Sequence, residues 1–496
     1  MLTLIVVLPL VAAAVLATVR VSDAAARWAW LAVTLAELAA VVGVWLAYES
    51  PDAGALAFEQ QVAWIPGVDS SYHVGVDGLS LPLVALTAVV FVACAIYSLH
   101  EQQRPRALAA LFLFLQFTCF GLFVAADLLV FFVFFDLSIV AMYFVIAGWG
   151  HGERAARSAL QFFLYTFLGS LALLLGFIGL YVLAEPHTFD MVRLTAEAPA
   201  ATAGVQGGLV LAAVLLGLAV KTPTVPFHTW LPPAHTDAPA VGSAVLAGVL
   251  LKMGTYGFVR IAMPMLPSAW RAWAWVVLAV GLVSVLYGAL VALAQTDLKR
   301  MIAYTSVNHM GYVVLAVGAA GLVSRSDAQA REVAVTGAVT QMVSHGLITA
   351  ALFLLAGVLH RRAGSYDMGS YGGLAGPAPR FAGLFAVGAF ASLGLPAFSG
   401  FIAEFQVFAG SVAATAWAAP ALLGILVTAA LFLRAMQQLL TGPTRGASEG
   451  FTDLGRTETT AIGSMLLLSL LVGVVPRPLL GVIEPAARSV VDAVAR

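Results

Sequence analysis

Fourteen long stretches of mostly apolar side chains follow one another along this chain, separated by short polar connections. A helix that crosses the roughly 30 Å hydrocarbon core of a bilayer needs about 20 such residues, because each backbone amide and carbonyl must find its partner inside the segment. The runs cover approximately residues 2–19, 28–48, 79–99, 107–125, 127–149, 159–184, 207–226, 240–263, 270–293, 301–323, 333–359, 381–408, 412–440 and 458–479. They predict an all-α polytopic membrane protein with about fourteen transmembrane helices. Only 10% of the residues are charged and 61% are hydrophobic, which excludes an ordinary soluble domain. The first run has no basic leader and no clean cleavage site before the second begins, so it reads as a retained span.

The cations set the expected topology. Thirteen arginines and lysines fall in loops after odd-numbered runs, among them Arg104, Arg154, Lys299, Arg300, Arg361 and Arg362. Loops after even-numbered runs hold or border five, Arg193, Arg260, Arg271, Arg325 and Arg331. Positive charge collects on the cytoplasmic side, so both termini are expected on the outer face. The long segment 49–77 then reads as an exterior loop, and the tail from Arg477, with three arginines on the outer side, as an interfacial helix. A net charge of −1 argues against a nucleic-acid partner and leaves the lipid bilayer as the main surroundings. The two cysteines, Cys94 and Cys119, lie in separate apolar runs and are too few for a zinc or iron–sulfur site. No metal or cofactor site is expected in this chain, and any redox chemistry belongs to another.

Two runs are interrupted by helix breakers at corresponding places. Counting runs four to eight as one unit and nine to thirteen as another, the fourth of each is broken, by Lys221-Thr-Pro223-Thr-Val-Pro226 in the first and by Gly394-Leu-Pro396-Ala-Phe-Ser399-Gly400 in the second. Matching breaks in two halves are the mark of an inverted-repeat transporter with its site at the breaks. The expected division is residues 1–106 for the first three helices, 107–263 and 264–440 for two inverted five-helix repeats, and 441–496 for the last helix and tail.

Lysine usage points to the chemistry. Only three of the 24 basic residues are lysine, and Lys221 and Lys252 lie within apolar spans. A lysine at the centre of a membrane helix costs about 2.5–3.5 kcal/mol on insertion scales, which calls for a reason. Arginine keeps its proton inside proteins, whereas an ammonium can release one when desolvated. Asp136, in a run of phenylalanines, and Glu404, just after the second break, are equally costly; Asp136 facing Lys221 would make an adjustable ion pair. His309 and His345 add groups whose ordinary pKa near 6.5 suits stepwise transfer, while His228 and His235 flank the first break as a possible entrance. Together Asp136, Lys221, Lys252, His309, His345 and Glu404 read as a proton relay. The competing reading of each is structural: an ion pair, a snorkelling amine, a neutral core carboxyl or a hydrogen-bonded core imidazole. Glu37, outside either repeat, reads as a packing or partner-facing residue.

The segments Val76-Asp-Gly-Leu-Ser80, Val220-Lys-Thr-Pro-Thr-Val-Pro-Phe-His-Thr-Trp-Leu231, Ala247-Gly-Val-Leu-Leu-Lys-Met-Gly-Thr-Tyr256, Asp297-Leu-Lys-Arg-Met-Ile-Ala-Tyr304 and Leu395-Pro-Ala-Phe-Ser-Gly-Phe401 give the chain a resemblance, over essentially its whole length, to the antiporter-like membrane subunits of complex I, NADH:quinone oxidoreductase. The resemblance implies a prokaryotic inner-membrane location and proton translocation driven by quinone reduction elsewhere. It also implies partner subunits, antiporter-like and small membrane chains among them, with NADH, FMN, iron–sulfur clusters and quinone bound outside this chain. By position, Lys221 matches the family's broken-helix lysine, Lys252 its central lysine and Glu404 the acid of its second broken helix. Two positions depart from the family pattern. The fifth-helix acid, usually Glu after Trp, is Asp136 after Phe135, about one methylene shorter towards Lys221; and Leu-Pro-Asp-Ala-His reads Leu231-Pro-Pro-Ala-His235. The alternatives are the homologous Mrp-type sodium/proton antiporter subunits, a non-pumping membrane scaffold, and a small-molecule transporter, for which no specificity pocket is evident.

Overall fold

The computed structural model describes residues 1–52, 54–197 and 204–496. Among them, eleven helices are long and apolar enough to cross a membrane. The spans are α1 (Leu2–Thr18), α2 (Asp23–Leu46), α3 (Leu81–Tyr97), α4 (Pro105–Val124), α5 (Leu128–Trp149), α6 (Ala155–Leu183), α7 (Gly204–Lys221), α8 (Ala240–Met265), α9 (Pro267–Leu293), α10 (Leu298–Ala320), α11 (Ala328–Ala363), α12 in two halves (Pro379–Ser392 and Ser399–Ala414), α13 (Ala416–Leu440) and α14 (Arg456–Val474). Three of these fall outside the eleven, for separate reasons: α1 is short, α10 is rich in polar side chains, and α12 is broken.

Segment 49–77, expected as a loop, contains an antiparallel hairpin of β1 (Ala57–Ile65) and β2 (Ser70–Val76). The hairpin marks one face of the molecule. Asp127 caps the start of α5 and accepts from Ser70 Oγ at 3.1 Å and the Ser71 amide at 3.0 Å, so the α4–α5 connection is tied to β2. His73 bridges Glu59 and Asp190, each at 2.6 Å, and so adds the α6–α7 connection. A last helix, α15 (Arg477–Ala495), crosses the same face: Val482 and Ala486 lie against Gly78, Arg271 donates to the Val494 carbonyl at 2.5 Å, and Arg488 pairs with Glu332. Its apolar stripe, including Leu479, Ile483, Val490 and Val494, is buried on protein, which accounts for an amphipathic tail where an interfacial helix was expected.

Loops after even-numbered spans therefore share the hairpin face, and those after odd-numbered spans share the opposite one, where Asp297 and Asp367 form a bridge between the α9–α10 and α11–α12 connections. Consequently α4 starts on the opposite face and α9 on the hairpin face, and the two five-helix units run in opposite senses. At the centre stands α11, 36 residues long and about 54 Å by its rise, whose most apolar window is wholly buried, whereas only 39% and 33% of the corresponding windows of α6 and α13 are buried. A helix apolar on every side and covered on every side is the axis about which the others pack. The side chains it buries include His345, Ser344 and Gln341, polar groups in the middle of a membrane protein.

Candidate proton-transfer site

The first break puts an amine at a helix end. Pro223 and Pro226 lack the amides that would continue α7, so the last carbonyls of that helix need other donors. Trp230 supplies one, its indole Nε1 donating to the Val220 carbonyl at 2.9 Å, and the Thr224 amide reaches the Ala219 carbonyl at 3.1 Å. Helix resumes over Leu231–Asp237. Lys221, buried at the end of the first piece, donates from Nζ to Ser138 Oγ at 3.2 Å and lies 4.6 Å from the centre of the Phe135 ring. The expected ion pair is not closed. Among the described residues Asp136 forms no ion pair with Lys221 within 4.0 Å, and its buried Oδ1 has no hydrogen-bond partner. The shorter acid leaves Ser138, three residues after Phe135 and fixed to the Phe135 carbonyl at 2.6 Å, as the polar partner of the amine.

The second amine is reached through a close crossing. Gly254 on α8 lies against Thr222 and the Leu218 carbonyl of α7; a Cβ there would stand 2.4 Å from Thr222 Oγ1. Only a residue without a side chain lets the two lysine-bearing helices approach this closely. Lys252 is fully buried between two π-helical turns of α8, Leu246–Leu250 and Phe258–Ala262. Such turns free carbonyls from the regular ladder and are frequent at functional sites. Lys252 Nζ donates to the Ala247 carbonyl at 2.5 Å and contacts His345 Nδ1 at 2.6 Å. An ammonium donating to Nδ1 requires the tautomer whose proton is on Nε2, and Nε2 faces Ser306 Oγ at 3.2 Å.

From His345 the polar line continues through the second repeat. The His309 ring centre is 5.4 Å from that of His345 and 5.4 Å from that of Tyr312, and Tyr312 meets Phe408 at 5.0 Å. Phe408 is one helical turn beyond Glu404 on α12. Glu404 is buried, and its Oε2 lies against the backbone of Gly394, where a Cβ would stand 2.6 Å away. Gly394 has φ +75° and Ala397 φ +87°, so left-handed residues turn the chain at this break. Ser399, opening the second half of α12, links Ser344 and Ser469 through contacts of 2.8 and 2.7 Å.

The entrance candidates differ. His228 stands 5.0 Å from Tyr287, centre to centre, with Nδ1 unpartnered among the described residues. His235 is fully buried, stacked 4.4 Å from Phe353 of α11, with neither ring nitrogen bonded among the described residues. Lys299, grouped above with the loop cations, is fully buried as well: its Nζ donates to the Ala238 carbonyl at 2.5 Å and to Tyr366 Oη at 3.4 Å, at the start of α10. Sequence reasoning missed this lysine because its run begins with polar residues, and missed Ser138 and Ser306 because serine in a helix is common. Glu37 is fully buried on α2, with neither carboxyl oxygen bonded among the described residues.

Comparison with known proteins agrees with the fold. Residues 125–432 match the family model described as NADH:quinone oxidoreductase/Mrp antiporter, TM. The chain is 38% identical over 444 residues to NADH-quinone oxidoreductase subunit M of Rickettsia felis, covering 88% of this chain and 86% of that one. It is 37% identical over 498 residues to F(420)H(2) dehydrogenase subunit M of Methanosarcina mazei, covering 99% and 98%. A chain of respiratory complex I from Thermus thermophilus with bound NADH superposes over the whole of both chains with a TM-score of 0.89 at 30% identity. Helix count, two oppositely directed units each with a broken helix, and sequence similarity over nearly its whole length place the chain in the NADH:quinone oxidoreductase/Mrp antiporter family of multi-pass membrane proteins.

Proposed function

We propose that this chain is a proton-translocating subunit of a quinone-reducing membrane complex of the NADH:quinone oxidoreductase type. The observation that carries the reading is the 2.6 Å contact between Lys252 and His345, two proton-carrying groups buried at the meeting of the repeats with no carboxylate paired to either among the described residues. Two amine-type bases this close cannot both be charged, so one proton is shared between them. A proton passed from Lys252 to Nδ1 leaves His345 able to release the one on Nε2 towards Ser306. The imidazole thus relays charge without moving far, and Glu404 is the carboxyl that takes it on. Lys221, on the helix that crosses the Lys252 helix at Gly254, loads the central lysine.

The cation excess on the face opposite the hairpin makes that face cytoplasmic, with both termini outside in a prokaryotic inner membrane. Protons enter near Lys221, with His228 and His235 at the mouth, and leave outward past Glu404. The charge on Asp136 sets how firmly Lys221 holds its proton: drawn towards the amine it retains the proton, drawn away it lets the proton pass to Lys252. NADH, FMN, iron–sulfur clusters and quinone belong to partner chains, and the neighbours in the membrane are further antiporter-like and small subunits.

Lys252→Ala in the assembled complex is expected to reduce proton release per electron pair in proteoliposomes to background. A variant that assembles and pumps at the wild-type ratio sinks the relay. A sodium-dependent pH change in vesicles without any electron donor would instead favour the Mrp-type exchange that the family also covers.

A further inference from the structure

A cavity of about 490 Å³ on the hairpin face is lined by Tyr48, Asp77, Tyr256, Arg260, Pro485 and Arg496. Tyr256 follows Lys252 by four residues on α8, one helical turn or about 6 Å along the axis. Space open to the releasing side therefore descends to within a turn of the Lys252 backbone, while the Lys252 amine reaches the other way, to the Ala247 carbonyl. A proton leaving Lys252 by that route would bypass His345 and Glu404 altogether, and the relay would leak.

The residues between are built against this. Arg260 Nη2 donates to Asp77 Oδ1 at 2.5 Å, with side chains only 17% and 13% exposed. The same Asp77 oxygen accepts the amides of Leu79 at 3.0 Å and Ser80 at 3.1 Å, so the carboxylate is anchored where α3 begins. Arg260 Nε donates to Tyr256 Oη at 2.8 Å, and its guanidinium lies 5.4 Å from the centre of the Tyr256 ring. That ring is packed edge-on against Phe123 at 5.5 Å and stacked near Phe131 at 6.4 Å. A guanidinium keeps its charge at any working pH, so a fixed cation, held in place by the Asp77 carboxylate, stands in the wall between the cavity and Lys252. A buried ion pair adds little to stability when set against an apolar pair of the same size. A fixed cation does, however, repel an incoming or outgoing hydronium.

We infer that Tyr256, Arg260 and Asp77 form a charged plug closing the hairpin-face end of α8, so that a proton on Lys252 leaves only sideways through His345. The inference rests on the relay reading above, and the two can fail separately. The test is the decay of an imposed pH gradient across proteoliposomes holding the whole complex, with no electron donor present. Arg260→Gln is expected to speed the decay several-fold while electron transfer to quinone shows that the complex is assembled. Arg260→Lys, which keeps the charge, is expected to stay tight, and Lys252→Ala added to Arg260→Gln is expected to remove the leak. If Arg260→Gln does not assemble, Tyr256→Phe and Asp77→Asn are expected to leak less strongly. Tight membranes in every assembled variant of these three positions overturn the plug and leave the relay standing. A leak that persists in the double variant also overturns it, because the route would then miss Lys252. Wild-type pumping by Lys252→Ala alone overturns the relay whatever the leak shows.

Discussion

The two broken helices are built by different means and carry opposite chemistry. At the first break, two prolines deny α7 its donors, an indole takes up a stranded carbonyl, and the group presented is an amine, Lys221. At the second, residues with positive φ turn the chain, glycine leaves room, and the group presented is a carboxyl, Glu404. Each stands without a counter-ion within 4.0 Å among the described residues. An amine receives its proton by becoming charged and a carboxyl by becoming neutral. In the same buried setting the first holds a proton with difficulty and the second parts from it with difficulty. An inverted pair with unlike groups therefore has a direction that a pair with like groups would lack.

The strongest way to break this comparison is to keep charge and remove exchange. Lys221→Arg preserves the cation but fixes its proton, and Glu404→Gln preserves size but removes the exchangeable acid. Each is expected to lower pumping at least about tenfold, equivalent to about 1.4 kcal/mol of barrier. Proton-to-electron ratios in proteoliposomes measure it, and a Lys221→Arg complex that pumps normally would show that the first break supplies only a field. Next in size is Gly394→Ala. Its Cβ meets Glu404 Oε2 and its φ is left-handed, so a cost of about 1–3 kcal/mol is expected, read as a lower thermal midpoint together with reduced pumping.

A smaller effect tests the stand-off at the first break. Ser138 is the amine's hydrogen-bond partner because Asp136 is short. Ser138→Ala is expected to slow pumping several-fold in the native chain. In an Asp136→Glu background, where the longer acid can reach Lys221, it should cost much less. Equal losses in both backgrounds, read as a double-mutant cycle, would show that the serine and the acid do not substitute for one another.

Much of this arrangement was legible because membrane burial makes polar residues expensive. Lys221, Lys252 and Glu404 stood out by cost alone, and the proline and glycine clusters marked both breaks. What escaped was pairing. Lys252 and His345 are 93 residues apart, and nothing local says that Gly248 of α8 and Gly346 of α11 cross closely enough to bring them to 2.6 Å. The Asp136 stand-off is a matter of one methylene, below what a pattern of residue types records. Lys299 was hidden because hydropathy at a helix start cannot separate a solvated loop from a buried turn. The hairpin was passed over for a similar reason: its alternation is weak, and most of β1 faces outward, leaving Val62 and Trp64 exposed.

The smallest expected effect concerns the hairpin, whose attachment to the spans depends on His73. Burial disfavours the charged imidazole, but hydrogen bonds and attraction from Asp190 and Glu59 outweigh it and raise His73 above its ordinary value of 6.5. With a carboxylate at each ring nitrogen, both nitrogens must carry protons. A group raised on folding adds stability that is complete below its unfolded value and disappears as pH climbs through the folded one. Protection of the β1 and β2 amides from hydrogen exchange, corrected for intrinsic rates, is therefore expected to fall as pH rises above about 6.5. Because Glu59 is half exposed and solvent screens its share, the fall should be modest. His73→Gln, which cannot charge, should remove the slope, and a slope that survives this substitution would assign the pH response to some other group on the hairpin face.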